Sequence, residues 1–261
     1  MEQQANFGIF EVLAILGALA WLPQVFIWMR NYFSKPKLTI ISGRSIEIGY
    51  TSLGPILNVD LAFLAENKKV LIRRIDVELT HEKNDTQKFS WDWFEETLYE
   101  ANLPDFGYSS TRKNQKAIAI NMDKDQLVEK RVGFQQNTFK NESQQLINLT
   151  TEEILNICNA QQDVASIKSQ RSYNELRDLY KNSFSWKIGT YTVKFFVKLS
   201  KRDGFFTHSF DFKLSSLDIK ALELNIEHCQ LLVEKQFVDR ELVLPENWKW
   251  INPPVTKKDE E

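Results

Sequence analysis

Residues 189–214 read GTYTVKFFVKLSKRDGFFTHSFDFKL, and this stretch sets the fold class. From Gly189 to Leu199 apolar and polar residues alternate, the period of a strand with one buried face. Lys201-Arg202-Asp203-Gly204 then turns the chain, and Asp-Gly between two alternating runs is a strong hairpin signal. Phe205 to Leu214 returns with Phe206, His208, Phe210 and Phe212 on one face. The pair argues for an antiparallel, β-rich domain.

Just upstream, Trp186-Lys187-Ile188-Gly189-Thr190-Tyr191 resembles the start of a late strand of an immunoglobulin-like sandwich, where a Tyr closes the corner. The likeness covers this short stretch only. Further back the alternation recurs. Leu38 to Ile41 with Ser45 to Ile48 reads as one strand. Ile56 to Ala65 reads as a second, with Leu57, Val59, Leu61 and Phe63 on one face. Val70 to His81 reads as a third, with Ile75, Val77 and Leu79 opposite Asp76, Glu78 and Thr80. Phe89 to Phe94, Lys116 to Met122 and Val128 to Gln135 add shorter runs. Gly54-Pro55, Glu66 to Lys69 and Lys83 to Asp85 punctuate them as turns.

Two helical segments interrupt this pattern. Thr150-Thr151-Glu152-Glu153 has the acids of a helix first turn, and helical spacing follows from Ile154 through Cys158 to Tyr180. Leu217 to about Val238 is a second, capped by Ser215 or Ser216. Its Ile219, Leu222, Ile226, Cys229 and Val233 step by three and four, and Leu217, Leu224 and Leu231 add a second row.

The N-terminus carries a different signal. Residues 7–29 read FGIFEVLAILGALAWLPQVFIWM, with Glu11 their one charge. At 1.5 Å per residue this covers roughly 34 Å, enough for a hydrocarbon core of about 30 Å. Phe7, Trp21, Pro23, Trp28 and the flanking Arg30 complete the expected anchor. Arg30, Lys35, Lys37 and Arg44 follow the apolar run, while no base precedes it. Positive-inside bias then puts the N-terminus outside and the bulk in the cytoplasm of a bacterial cell, as a single-pass inner-membrane protein. The cysteines, Cys158 and Cys229, fit a reducing compartment.

The expected architecture is therefore a membrane-anchored α+β protein. Residues 1–33 form a single N-terminal transmembrane helix. Residues 36–140 begin a mainly antiparallel, immunoglobulin-like β-sandwich with helical additions. A helical insertion occupies 145–183, a late hairpin 184–214, and a helix with a Trp- and Pro-rich tail 215–261.

Chemistry is sparse. A net charge of −2 excludes a cationic nucleic-acid binder. His81, His208 and His228 lack ligand spacing, so no metal is expected. No phosphate-cradling glycine loop and no G-x-S-x-G elbow occurs, so no cofactor and no catalytic residue is assigned. Two aromatic groups stand out. Trp91-Asp92-Trp93-Phe94-Glu95-Glu96 leads on to Glu100 and Asp105, and carboxylates beside aromatic walls bind cations or sugars, or do acid–base work. Trp248-Lys249-Trp250 precedes Asn252-Pro253-Pro254 near the C-terminus. The reading that follows is a tethered, non-catalytic protein-interaction or adaptor module. Its partners would be the bilayer through residues 7–29 and a protein or a second copy. The alternatives are a periplasmic or extracellular ligand sensor, and an enzyme built on the acidic cluster at 91–105.

Overall fold

A computed structural model describes residues 8–103, 107–159, 165–200 and 204–257; within these, side chains 9–16, 18, 30–31, 97–103, 107–112, 165 and 257 are not described. Eleven strands among the described residues join one antiparallel sheet. They are β1 (Lys37–Thr51), β2 (Gly54–Glu66), β3 (Val70–His81), β4 (Thr86–Leu103), β5 (Gly107–Lys116), β6 (Ile120–Met122), β7 (Leu127–Gln135), β8 (Gly189–Leu199), β9 (Phe206–Leu214), β10 (Trp250–Ile251) and β11 (Thr256–Lys257). The hydrogen-bonded path is β10-β1-β2-β7-β4-β3-β8-β9-β11, with β5 added to β4 and β6 to β3. The helices are α1 (Ile9–Phe33), α2 (Asn137–Asn159), α3 (Ala165–Lys168), α4 (Arg171–Asn182) and α5 (Ser216–Phe237).

The sheet is curled into a half-barrel. Pairing registers shift between Ser42 and Ile46, between Ile72 and Arg74, between Trp91 and Trp93, and between Thr97 and Tyr99. Such bulges bend a strand and increase its twist. The inner face then closes on itself: Ile46, Ile48, Leu57, Phe63, Ile75, Phe134, Phe195 and Phe210 are all buried in one core. α4 and α5 extend that core, where the Tyr50 hydroxyl donates to the Tyr180 carbonyl and Phe139 packs 5.7 Å from Tyr180.

The chain from Trp250 to Lys257 covers both edges of this path. β10 pairs with β1, placing Gly49 opposite Trp250. Ser45 bridges Pro254, the Ile46 amide donates to the Pro253 carbonyl at 3.2 Å, and the Val255 amide to the Arg44 carbonyl at 2.8 Å. β11 then pairs with β9, with Thr256 opposite Asp211. One strap thus laces the seam between β1 and β9.

Four expectations need correction. An immunoglobulin-like sandwich needs two stacked sheets, whereas here β7 bonds both β2 and β4 and β3 bonds both β4 and β8, so the bonding is continuous. The tyrosine corner itself is present: the Tyr191 hydroxyl donates to the Lys187 carbonyl at 3.2 Å and accepts from the Lys187 amide at 2.7 Å. A local motif of a sandwich therefore does not impose one.

The single transmembrane helix is the second correction. Among the described residues no helix is long and apolar enough to cross a membrane. Within α1, Pro23 and Gln24 interrupt the apolar run. Trp21 and Trp28 are exposed. Phe7 and the side chains of Glu11 and Arg30 lie outside the described residues. The single-pass inner-membrane placement falls with the span, because positive-inside bias orients only a spanning segment.

The helices supply the other two. α2 begins at Asn137, so Thr150 and Thr151 lie inside it, where the Thr151 hydroxyl bonds back to the Ile147 carbonyl at 2.7 Å. Spacing outweighed the local capping signature, since Phe139, Leu146, Ile147, Ile154 and Ile157 pack inward. On this helix Cys158 is exposed. α5 is capped as expected by Ser215, in a capping box with Asp218. It buries Ile219, Leu222, Asn225, His228, Cys229 and Val233, while Leu217 and Leu224 of the second row face out.

Candidate functional site

The outer face of the half-barrel carries a cleft of about 530 Å³ over β1, β2, β7 and β4, lined among others by Trp93, Glu95, Arg131, Trp248 and Trp250. Strand alternation places its floor. Ile48, Leu57, Val132 and Phe134 point inward, so Glu47, Asn58, Arg131 and Gly133 point outward. Glu47, Asn58, Gly133 and Trp93 occupy one row across four strands by their register.

Two glycines seat two indoles. Trp250 lies opposite Gly49, and a Cβ on Gly49 would stand 2.3 Å from its six-membered ring. Trp93 lies opposite Gly133, where a Cβ would stand 2.0 Å from the indole. Glycine inside a strand often marks such a close approach. Both indoles stay half-buried, so part of each remains open to the cleft.

Between the indoles Glu47 is already bonded from two sides. Glu47 Oε2 accepts from Asn58 Nδ2 at 2.6 Å and pairs with Arg131 Nη2 at 2.7 Å. Burial pulls the Arg131 pKa down, but the bond to Glu47 and the charges of Glu47, Asp60 and Glu95 outweigh it and hold the guanidinium above its ordinary value. Arg131 therefore stays charged at any working pH. Asn58 is 5% exposed, and its Oδ1 has no partner among the described residues. Thr51, Ser52 and Asn114 complete the polar lining.

α5 fixes the third indole. Asn225 clamps the Lys249 backbone with two bonds of 2.8 Å, one to its carbonyl and one from its amide. Trp248, one residue earlier, stacks on His228 with centroids 3.9 Å apart and an interplanar angle of 6°. Burial lowers the His228 pKa, so this ring is neutral near pH 7.

A second groove adjoins the cleft and shares Glu95 and Arg131 with it. It adds Asp60, Glu96, Glu129 and Lys130 around the β1 bulge at Gly43.

The structure thus joins two groups that the sequence keeps about 150 residues apart. Trp93, Glu95, Trp248 and Trp250 line one cleft, and Glu96, which accepts from Gln115, lines the neighbouring groove. Trp91 turns away: it packs toward the core and donates its indole N–H to the Trp93 carbonyl at 3.0 Å. Glu100 opposes Ser110 in β4 and β5, but its side chain lies outside the described residues, as does Asp105. Glu47, Asn58, Asn114 and Arg131 escaped the sequence reading. Their available signal was Gly49 and Gly133, two glycines inside alternating runs.

Cys229 and His81 are not among the residues that line this cleft. Burial pushes the Cys229 thiol up to about 12, so it is protonated and inert. His81 is buried and bonds the Ile188 carbonyl at 3.1 Å. Among the described residues no cluster of three or more His, Cys, Asp or Glu side chains is arranged to hold a metal ion.

No family model matches the sequence, and no curated protein matches it. Two solved structures align with the chain at low similarity. A family 123 glycoside hydrolase from Clostridium perfringens aligns with a TM-score of 0.33 and 9% identity over 70% of this chain. Spo0M, a sporulation control protein from Bacillus subtilis, aligns with a TM-score of 0.27 and 10% identity over 75% of this chain. The aligned region spans 27% of the first and 56% of the second. Likenesses at this level carry no argument about fold or function.

Proposed function

We propose that the domain is a non-catalytic interaction module that holds its partner molecule in the outer cleft. One observation carries this reading. Trp93 from β4, Trp250 from β10 and the Glu47–Arg131 pair from β1 and β7 converge on an outer sheet face. The inner face needs none of them for its packing. Preformed clefts with apolar walls and a few fixed polar groups are the usual form of a binding site. Glu47, held by Arg131 and Asn58, and Glu96, held by Gln115, serve as fixed polar groups in this reading.

The test is a thermal-shift screen of soluble ligands from several chemical classes, run on the natural chain and on Trp250→Ala. A ligand at a hundred times its Kd stabilises by about 2.7 kcal/mol. The expected result is at least one ligand that shifts the natural chain and not the variant. Equal shifts in both, or none from any class, would overturn the reading.

A further inference from the structure

We propose that the cleft recognises a saccharide at least two sugar rings long; this deepens the binding reading above and rests on it. The first argument is the spacing of the indoles. Their glycine seats, Gly49 on β1 and Gly133 on β7, are separated by two strand spacings across the sheet and two residues along it, about 12 Å in all. A cage for one ammonium gathers its rings within about 6 Å of a single point, a limit that seats this far apart reach only on the line between them. Two platforms set this far apart suit a flat ligand with more than one apolar face, and the C–H faces of successive sugar rings supply that.

The second argument is the polarity between the platforms. Sugar hydroxyls each donate and accept, so they need both roles offered side by side. Glu47 offers acceptors, Arg131 keeps donors beyond the one given to Glu47, and Asn114 and Ser52 offer neutral groups. Glu47 and Arg131 are held by their own pair and by Asn58, so little of their ordering is left to the moment of binding.

The third argument is charge. Glu47 and Arg131 cancel as a pair. A phosphate in the cleft would meet Glu47 and Glu95. A neutral polyol meets no such conflict. A peptide added as a further strand is disfavoured as well, because β10 and β11 already occupy the outer sides of β1 and β9.

The experiment is a titration of intrinsic tryptophan fluorescence in the full chain. The probes are glucose, cellotetraose, maltotetraose and tetra-N-acetylchitotetraose, with tetramethylammonium and inorganic phosphate as counter-probes. The expected result is saturable change with one tetrasaccharide at a Kd near or below about 1 mM, and binding at least about tenfold weaker for a monosaccharide. Trp250→Ala and Arg131→Ala should each weaken the tetrasaccharide by about tenfold or more. Asn114→Ala, at an exposed position, should weaken it less and keeps the test readable if Trp250→Ala does not fold. Saturation by tetramethylammonium or phosphate, lost in Trp250→Ala, would overturn the saccharide and leave the binding cleft standing. No response to any tetrasaccharide up to about 10 mM, tenfold past that Kd, would also overturn it. Tetrasaccharide binding that survives in all three variants would overturn both readings.

Discussion

The two faces of the half-barrel both carry large aromatic rings, but they hold them differently. Inside, ring meets ring: Phe134 and Phe195 lie 5.8 Å apart, and Tyr191 stacks on Phe212 at 5.1 Å and 5°. Outside, ring meets backbone, with Trp250 on Gly49 and Trp93 on Gly133. Interdigitated rings leave no surface over, whereas a ring laid on a glycine keeps part of itself for something else. The inner face therefore concerns stability, and the proposed binding reading assigns recognition to the outer face. The same β1 and β7 serve both, because successive residues point to opposite sides.

That division can be broken by single changes. Phe195→Ala removes a fully buried ring that touches Phe134 and Phe210. It should cost about 3–5 kcal/mol in a denaturant titration and leave cleft affinity intact in the molecules that stay folded. Gly133→Ala drives a methyl into the Trp93 indole. Up to about 3 kcal/mol of stability should go, and cleft binding should fall with it, because the platform itself is displaced. Asn225→Ala releases both bonds to Lys249 and should cost about 2 kcal/mol, with a red-shifted tryptophan emission as Trp248 and Trp250 loosen. Arg131→Ala sharpens the contrast from the other side. Its pair with Glu47 is partly exposed, so stability should change by about 1 kcal/mol or less while binding is lost. If Arg131→Ala unfolds the protein instead, the outer face is structural after all.

The smallest effect expected is a pH dependence at His228. Burial depresses its pKa below the ordinary 6.5, so the unfolded chain takes up a proton that the folded chain refuses. Stability should be full above about pH 6.5 and decline as pH falls below it. His228→Gln should remove that part of the decline, read as the difference in melting temperature between pH 7 and pH 5.

The sheet was legible where one face is buried and the other wet. Ile75 to His81 alternates cleanly within β3, past the bulge between Ile72 and Arg74. α5 was legible from its cap and spacing, yet its width was not. Leu217 and Leu224 look like core on a helical wheel, but only position relative to the sheet decides whether a second row finds a partner. α2 was misplaced because Thr150-Thr151-Glu152-Glu153 is a local signal inside a longer amphipathic run. The half-barrel was hidden because β7 joining β2 to β4 is a long-range fact with no local signature. The cleft divides similarly. Trp93, Glu95, Trp248 and Trp250 were visible as residue types, but their meeting depends on strand order. Arg131 and Glu47 read as ordinary outward charges until the register sets them together.

The strap across the seam has a kinetic consequence. The bridge from Ser45 to Pro254 joins positions 209 residues apart, whereas the hairpin of β8 and β9 closes over a few. Closing a long loop carries the larger entropy cost, so the hairpin forms early and the strap locks late. Contacts made after the folding barrier govern how quickly the native state escapes, not how quickly it is reached. Loosening the strap should therefore speed unfolding and leave the refolding rate nearly unchanged. The lifetime of the folded barrel then rests on a segment of a few residues that contributes little to its core.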